Sequence, residues 1–127
     1  MQFIIIDDEE ITLFIHKRII TVALGITDIT TFSCAAAALR FFQNDFKVDT
    51  NTTTVIFLDL NMPLISGWDF LEFFKDFDDE IKNAIHIYIV TSSIDPIDKK
   101  EALSNNNVIA FISKPITKEI LIEYFKQ

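Results

Sequence analysis

The 127-residue chain holds a single cysteine, Cys34, which excludes an internal disulfide. No apolar stretch approaches the roughly 20 residues a membrane-spanning helix needs, because charge interrupts every strong run within about eight positions. No basic leader precedes an apolar run, so nothing marks export and the expected location is the cytoplasm. Positive charge is scarce as well: 11 Lys and Arg against 19 Asp and Glu leave a net charge of -8 and an isoelectric point near 4.5. Nucleic-acid backbones and anionic membrane surfaces would repel such a chain, so no direct nucleic-acid or membrane partner is expected. Internal repeats are lacking, and the four alanines at 35–38 are the one low-complexity stretch.

Apolar residues are plentiful. Half of the chain is hydrophobic and 13 residues are phenylalanine, enough for one core, and the length is that of one domain, residues 1–127. Short runs rich in Ile, Val and Phe at 2–6 (QFIII), 54–58 (TVIFL), 85–90 (IHIYIV) and 108–112 (VIAFI) predict strands covered on both faces. Residues 27–32 (TDITTF) predict a weaker fifth. Between them, Ile11, Phe14, Ile15, Ile19 and Val22 recur at helical spacing and mark helix one, closed near Gly25. Ser33 is placed to cap a helix through AAAALRFF, and Ser66 or Gly67 to open one through WDFLEFF. Asp95 and Pro96 start a helix over 96–104, and Thr117 starts the last, to about Lys126. The polar stretch 47–53 and the acidic stretch 76–80 (DFDDE) read as solvated loops. Strand-then-helix units joined by right-handed crossovers predict an α/β fold, a single doubly wound five-stranded parallel sheet with five helices. Cys34 is expected as a small buried residue and Trp68 in the core of helix three. His16 and His86 are expected as packing or surface residues away from the strand ends.

In such a sheet, ligands bind beyond the carboxyl ends of the strands, where strand order reverses. Asp7 and Asp8 end strand one, Asp59 ends strand three, Thr91 ends strand four, and Lys114 lies just past strand five. One rim thereby receives three carboxylates, a hydroxyl and an ammonium. Crowded carboxylates repel unless a cation sits among them. The ligands on offer are oxygens, with neither Cys nor His in the set, which points to a hard divalent ion; few carboxylates with waters favour Mg²⁺ over a calcium cage. With Lys114 as a second positive charge and Thr91 as a donor, the rim holds what phosphoryl transfer requires: positioning and charge compensation around a nucleophile. Asp59 is the candidate nucleophile.

Asp7 and Asp8, "LDLNMPLISG" around Asp59, "VTSS" with Thr91, and "FISKP" with Lys114 and Pro115 together resemble the receiver domain of two-component response regulators, of the single-domain CheY-like type. The resemblance spans essentially the whole chain. It implies a flavodoxin-like strand order, 2-1-3-4-5. It also implies that Asp59 is the phosphoacceptor, served by a histidine kinase or a histidine phosphotransfer protein. Mg²⁺ would be held by Asp8, Asp59 and the backbone carbonyl of Asn61, with Asp7 acting through water. Thr91 would hydrogen-bond the phosphoryl group, Lys114 would pair with it, and Phe111 would be the aromatic switch. Phe111 stands where tyrosine is commoner and has no hydroxyl to satisfy, so an inward position is expected even without phosphate. Asn61 and Ser93 would tune the lifetime of the phosphoryl group, and the Lys114–Pro115 bond is typically cis in the family. Output is expected through a downstream protein target on the fourth helix, fifth strand and fifth helix, residues 96–126.

Two stretches depart from the family pattern. Ser66 stands where aspartate is common before Gly67, and the turn before strand five reads Asn105-Asn106-Asn107 where small residues with glycine are common. Asn107 or a neighbour is expected to take the left-handed backbone instead. Rival classes fit less well. The acidic loop Asp7–Glu10 would repel the phosphate of a flavin, against a flavodoxin. Asn61 cannot donate the proton that a haloacid-dehalogenase-type phosphatase takes from an aspartate two residues after its nucleophile. The alternative left is a degenerate receiver that binds partners without phosphate, and no residue of the set is missing to favour it. The expected role is a phosphorelay receiver, a signalling component rather than an enzyme.

Overall fold

Three segments of nearly unbroken Ile, Val and Phe, β1 (Gln2–Ile6), β3 (Thr54–Leu58) and β4 (Ile85–Thr91), occupy the middle of the sheet in the computed structural model, which describes residues 1–126. The less apolar β2 (Ile29–Phe32) and the alternating β5 (Val108–Ser113) take the edges. All pairings are parallel and the order is β2-β1-β3-β4-β5, the flavodoxin-like arrangement. Strands covered on both faces have no need of a polar face, which is why β3 is buried at every position.

Helices lie on both faces. On one, α1 (Glu10–Leu24) and α6 (Lys118–Phe125) close over Phe3, Ile5, Val55, Phe57 and Val90. On the other, α2 (Ala35–Asn44), α3 (Gly67–Phe74) and α5 (Pro96–Leu103) close over Ile4, Ile6, Ile56, Leu58, Ile87 and Ile89. Alternate residues of each strand thus feed alternate cores. The expected starts hold at three helices. Ser66 and Asp69 form a reciprocal capping box on α3, Asp95 accepts from the Ile97 amide with Pro96 in the first turn of α5, and Thr117 accepts from the Ile120 amide.

Elsewhere local sequence misleads. Helix α2 starts after Cys34, whose backbone is extended, rather than with Ser33 as its cap, and Cys34 is exposed, not buried. The acidic stretch expected as a loop opens a sixth, short helix, α4 (Asp79–Ala84). Asp79 and Glu80 stabilise its first turn through the helix dipole, and Lys82 ties it down by pairing with Asp79 and donating to the Lys75 carbonyl. On α1 the buried residues are Leu13, His16, Ile20 and Ala23. Of the apolar stripe that marks this helix in the sequence, Ile19 packs against the core, but the rest faces outward: Ile11 and Phe14 are 75% and 72% exposed, and Ile15 and Val22 are exposed too. Both stripes have helical period, and only packing on the sheet separates them. Trp68 is half-buried against the core.

Two backbone features position the rim. Between β4 and β5 the register slips, with Ile87 opposite Val108 but Tyr88 opposite Ala110, so Ile109 is left over. The extra residue switches β5 between faces: Val108 joins one core, Ala110 and Ile112 the other, and Phe111 packs with the first. It also brings Ser113 opposite Thr91, so that Lys114 leaves the sheet beside the end of β4. The second feature is Gly67, whose hydrogen stands where a side chain would meet the Asp59 carbonyl oxygen at 2.2 Å and the Leu60 Cα at 2.7 Å. Only glycine lets α3 start against the backbone of the β3 end.

The Asn105–Asn107 turn needs no left-handed residue. The Asn105 side chain accepts from the Asn107 amide at 2.9 Å, and its carbonyl accepts from the Val108 amide at 3.0 Å. Among the described residues the non-glycine with a left-handed backbone is Leu64, at φ 66° and fully exposed. Gly67→Ala is expected to lower stability by about 1–3 kcal/mol, and Leu64→Asn to raise it by up to about 1 kcal/mol, both read from urea unfolding midpoints.

Candidate functional site

Parallel register brings the first two carboxylates together. Ile6 pairs with Leu58, and the Asp59 amide donates to the Ile6 carbonyl at 3.0 Å, so β1 and β3 release Asp7 and Asp59 side by side. Both are buried, at 2% and 4% exposure. Asp7 accepts from the Glu9 amide at 2.9 Å, which turns the chain outward into α1 and leaves Asp8 exposed. One oxygen from each of Asp7, Asp8 and Asp59 lies within 4.8 Å of the others.

Lys114 closes the cluster. Its amide donates to the Thr91 carbonyl at 2.9 Å, and its Nζ lies 2.7 Å from Asp7, 3.2 Å from Asp59 and 3.4 Å from Glu9. The following Lys114–Pro115 peptide is cis. Thr91 is fully buried at the end of β4. Asn61 is exposed and its amide donates to Asp59 Oδ1 at 3.4 Å. Ser93 turns toward α5, donating to Asp98 at 2.6 Å and accepting from the Asp95 amide at 3.3 Å. Phe111 is half-buried and packs against the core on the α5 side.

Burial pushes the Asp59 carboxyl up; Lys114 opposes the rise, the Asp7 charge adds to it, and hydrogen bonding with Lys114 and Thr91 pulls it back. For Lys114, burial alone would lower the ammonium, but the hydrogen bond with Asp7 and the charges of Asp59 and Asp7 hold it above its ordinary value. One ammonium among Asp7, Asp8, Glu9 and Asp59 leaves the cluster strongly negative. Its donors are oxygens, buried at the base and open at Asp8. That is the donor set of a hard divalent cation, and the residues fit one.

A family model, the response regulator receiver domain, matches residues 3–126. The chain belongs to the response regulator receiver family. Solved receivers repeat the architecture. A response regulator receiver protein from Dyadobacter fermentans is 28% identical, with 100% of this chain and 99% of that one covered and a TM-score of 0.83. A two-component response regulator from Cytophaga hutchinsonii is 27% identical over 96% of this chain and 91% of its own, with a TM-score of 0.84. A CheY-like receiver from Methanospirillum hungatei is 25% identical over 98% and 90%, with a TM-score of 0.74. Comparison with curated proteins returned no match. The receiver is therefore a component of two-component phosphorelay signalling, and no described helix is long and apolar enough to cross a membrane.

Sequence reasoning set His16 apart from the rim. In the receiver it is a buried packing residue, 2% exposed, but it is also electrostatic neighbour to the cluster. Its Nε2 accepts from the Ile116 amide at 3.3 Å. Burial and then the Lys114 charge lower it to about 4, against a smaller upward pull from Asp59. The unfolded chain takes up this proton near pH 6.5, whereas the folded chain refuses it until about pH 4. His16 therefore contributes stability in full above about pH 6.5 that is lost as the pH falls toward 4. Unfolding free energies at pH 7 and pH 4 should show the wild-type receiver losing about 3 kcal/mol more than His16→Leu.

Proposed function

We propose that residues 1–127 act as one receiver domain in the cytoplasm, taking a phosphoryl group onto Asp59 from the phosphohistidine of a histidine kinase or phosphotransfer protein. The observation that carries this reading is the Asp59 carboxylate, buried at the carboxyl end of the central strand and 3.2 Å from the Lys114 ammonium. An Asp59 oxygen attacks phosphorus as the phosphorus–nitrogen bond breaks, and the electron pair leaves with the imidazole. Burial makes that oxygen more basic, while Lys114 favours the ionised form that attack requires. Asp8, Asp59 and the carbonyl of Asn61 would hold Mg²⁺, with Asp7 acting through water. When bound, the ion compensates charge on the phosphoryl oxygens.

The new negative charge draws the Thr91 hydroxyl and the Lys114 ammonium, and Phe111 fills the space that Thr91 leaves. Phe111 already packs against the core, which supports an inward rest position. Asn61 and Ser93 flank the route of the hydrolytic water and tune the lifetime of the phosphoryl group. The changed face would be α5, β5 and α6, residues 96–126, where Ile97, Ile109 and Tyr124 are exposed to a downstream protein. The donor needs another surface beside Asp59. The exposed Ile11, Phe14, Ile15 and Val22 stripe, on the helix that starts at the rim, offers one.

Intact mass after incubation with acetyl phosphate and Mg²⁺ is expected to rise by one phosphoryl group. Asp59→Asn and an EDTA control should both abolish the adduct; an unmodified wild-type chain would instead mean a receiver that binds partners without phosphate.

A further inference from the structure

Ion pairs hold the tip of Lys114, and its backbone is held separately. The segment that carries it, Lys114-Pro115-Ile116, offers two backbone N–H groups, since proline has none. The Lys114 amide is taken by the Thr91 carbonyl of β4. The Ile116 amide is taken by the Nε2 of His16 on α1, one hundred residues away in sequence. Ile116 is 1% exposed and His16 is 2% exposed, so water is not at hand to replace either partner.

We propose that His16 is a positioning residue, whose Nε2 lone pair clamps the Ile116 amide to α1 and thereby keeps the Lys114 ammonium at the Asp7–Asp59 pair. The inference rests on the proposed role of Asp59 only for its effect on phosphorylation. Accepting at Nε2 requires the neutral imidazole with its proton on Nδ1. A protonated ring would present a donor to a donor, beside an ammonium. The depressed proton affinity of His16 keeps the acceptor form in place at neutral pH. Of the uncharged side chains, glutamine comes nearest to placing an oxygen where the histidine Nε2 lies, whereas leucine fills similar space with no acceptor. The two substitutions therefore separate clamping from packing.

The test uses the full chain, labelled with ¹⁵N, as wild type, His16→Leu and His16→Gln. A scalar coupling across the hydrogen bond between the Ile116 amide nitrogen and His16 Nε2 is expected in the wild type. In His16→Leu the Ile116 amide should exchange about tenfold faster and the acetyl-phosphate rate should fall about tenfold, as losing one hydrogen bond implies; His16→Gln should recover both to within about twofold. A Leu variant that folds and matches the wild type in both readouts overturns the proposal. So does a Gln variant no better than Leu, which would make His16 a packing residue. If the wild type takes no phosphoryl group, the functional reading fails, and the amide exchange and coupling alone decide the clamp. If His16→Leu does not fold, an absent coupling in the wild type overturns the clamp, and a present coupling with a competent Gln variant upholds it.

Discussion

Two aspartates buried side by side at the ends of adjacent strands are tolerable only with a cation between them, and in this receiver the cation is Lys114. Asp7 and Asp59 are each almost wholly removed from water, and neither faces a backbone nest deep enough to replace hydration. The ammonium at 2.7 and 3.2 Å offsets that burial, yet it comes from the far edge of the sheet. The arrangement is held by fold rather than by strength of pairing, because a buried ion pair contributes little net stability, whereas loss of one partner costs about 3–5 kcal/mol. Such a site is stable while its geometry holds and responsive to any charge that enters it.

The slipped register of β5 also decides which face its aromatic residue takes. Had the strand kept alternation throughout, Val108 and Ala110 would share a face and Phe111 would turn away from α5. The leftover Ile109 reverses this, so the aromatic ring after the slip stands on the same side as α5 and its core. Ser93 adds a second link, since its hydroxyl is committed to Asp98 in the first turn of α5. The loop that follows Thr91 out of the sheet is therefore tied to the first turn of α5.

Much of this was legible in the chain itself. Unbroken apolar runs ending on Asp7, Asp59 and Thr91 mark central parallel strands, and parallel order sends their carboxyl ends to one rim. The cluster of Asp7, Asp8 and Asp59 needs no more than that, whereas the place of Lys114 depends also on the slip in β5. What was not legible depends on packing between distant segments. Nothing local distinguishes the Ile11–Val22 stripe of α1 from the Leu13–Ala23 stripe, because both have helical period; the sheet chooses. The slip at Ile109 leaves no mark in residue type, and Leu64 adopts a left-handed backbone that its side chain disfavours, where the asparagines at 105–107 do without one. His16 was expected as a packing or surface residue and is buried; its contact was not legible because the partner is a backbone amide one hundred residues away.

Helix α1 joins these observations. Its inner stripe must satisfy the sheet, and it does so with Leu13, Ile20 and Ala23 alongside a histidine that accepts from the Ile116 amide. Its outer stripe has no structural duty, yet it is apolar at positions where a solvated helix would be charged. Exposing Ile11, Phe14, Ile15 and Val22 carries an aggregation hazard, countered by the net charge of -8, which keeps copies of the chain apart. The stripe lies on the helix that leaves the rim just after Asp7 and Asp8. The two faces of α1 thus meet one site in different ways: the inner carries the His16 contact to the segment that bears the lysine, and the outer sets an apolar surface beside the rim.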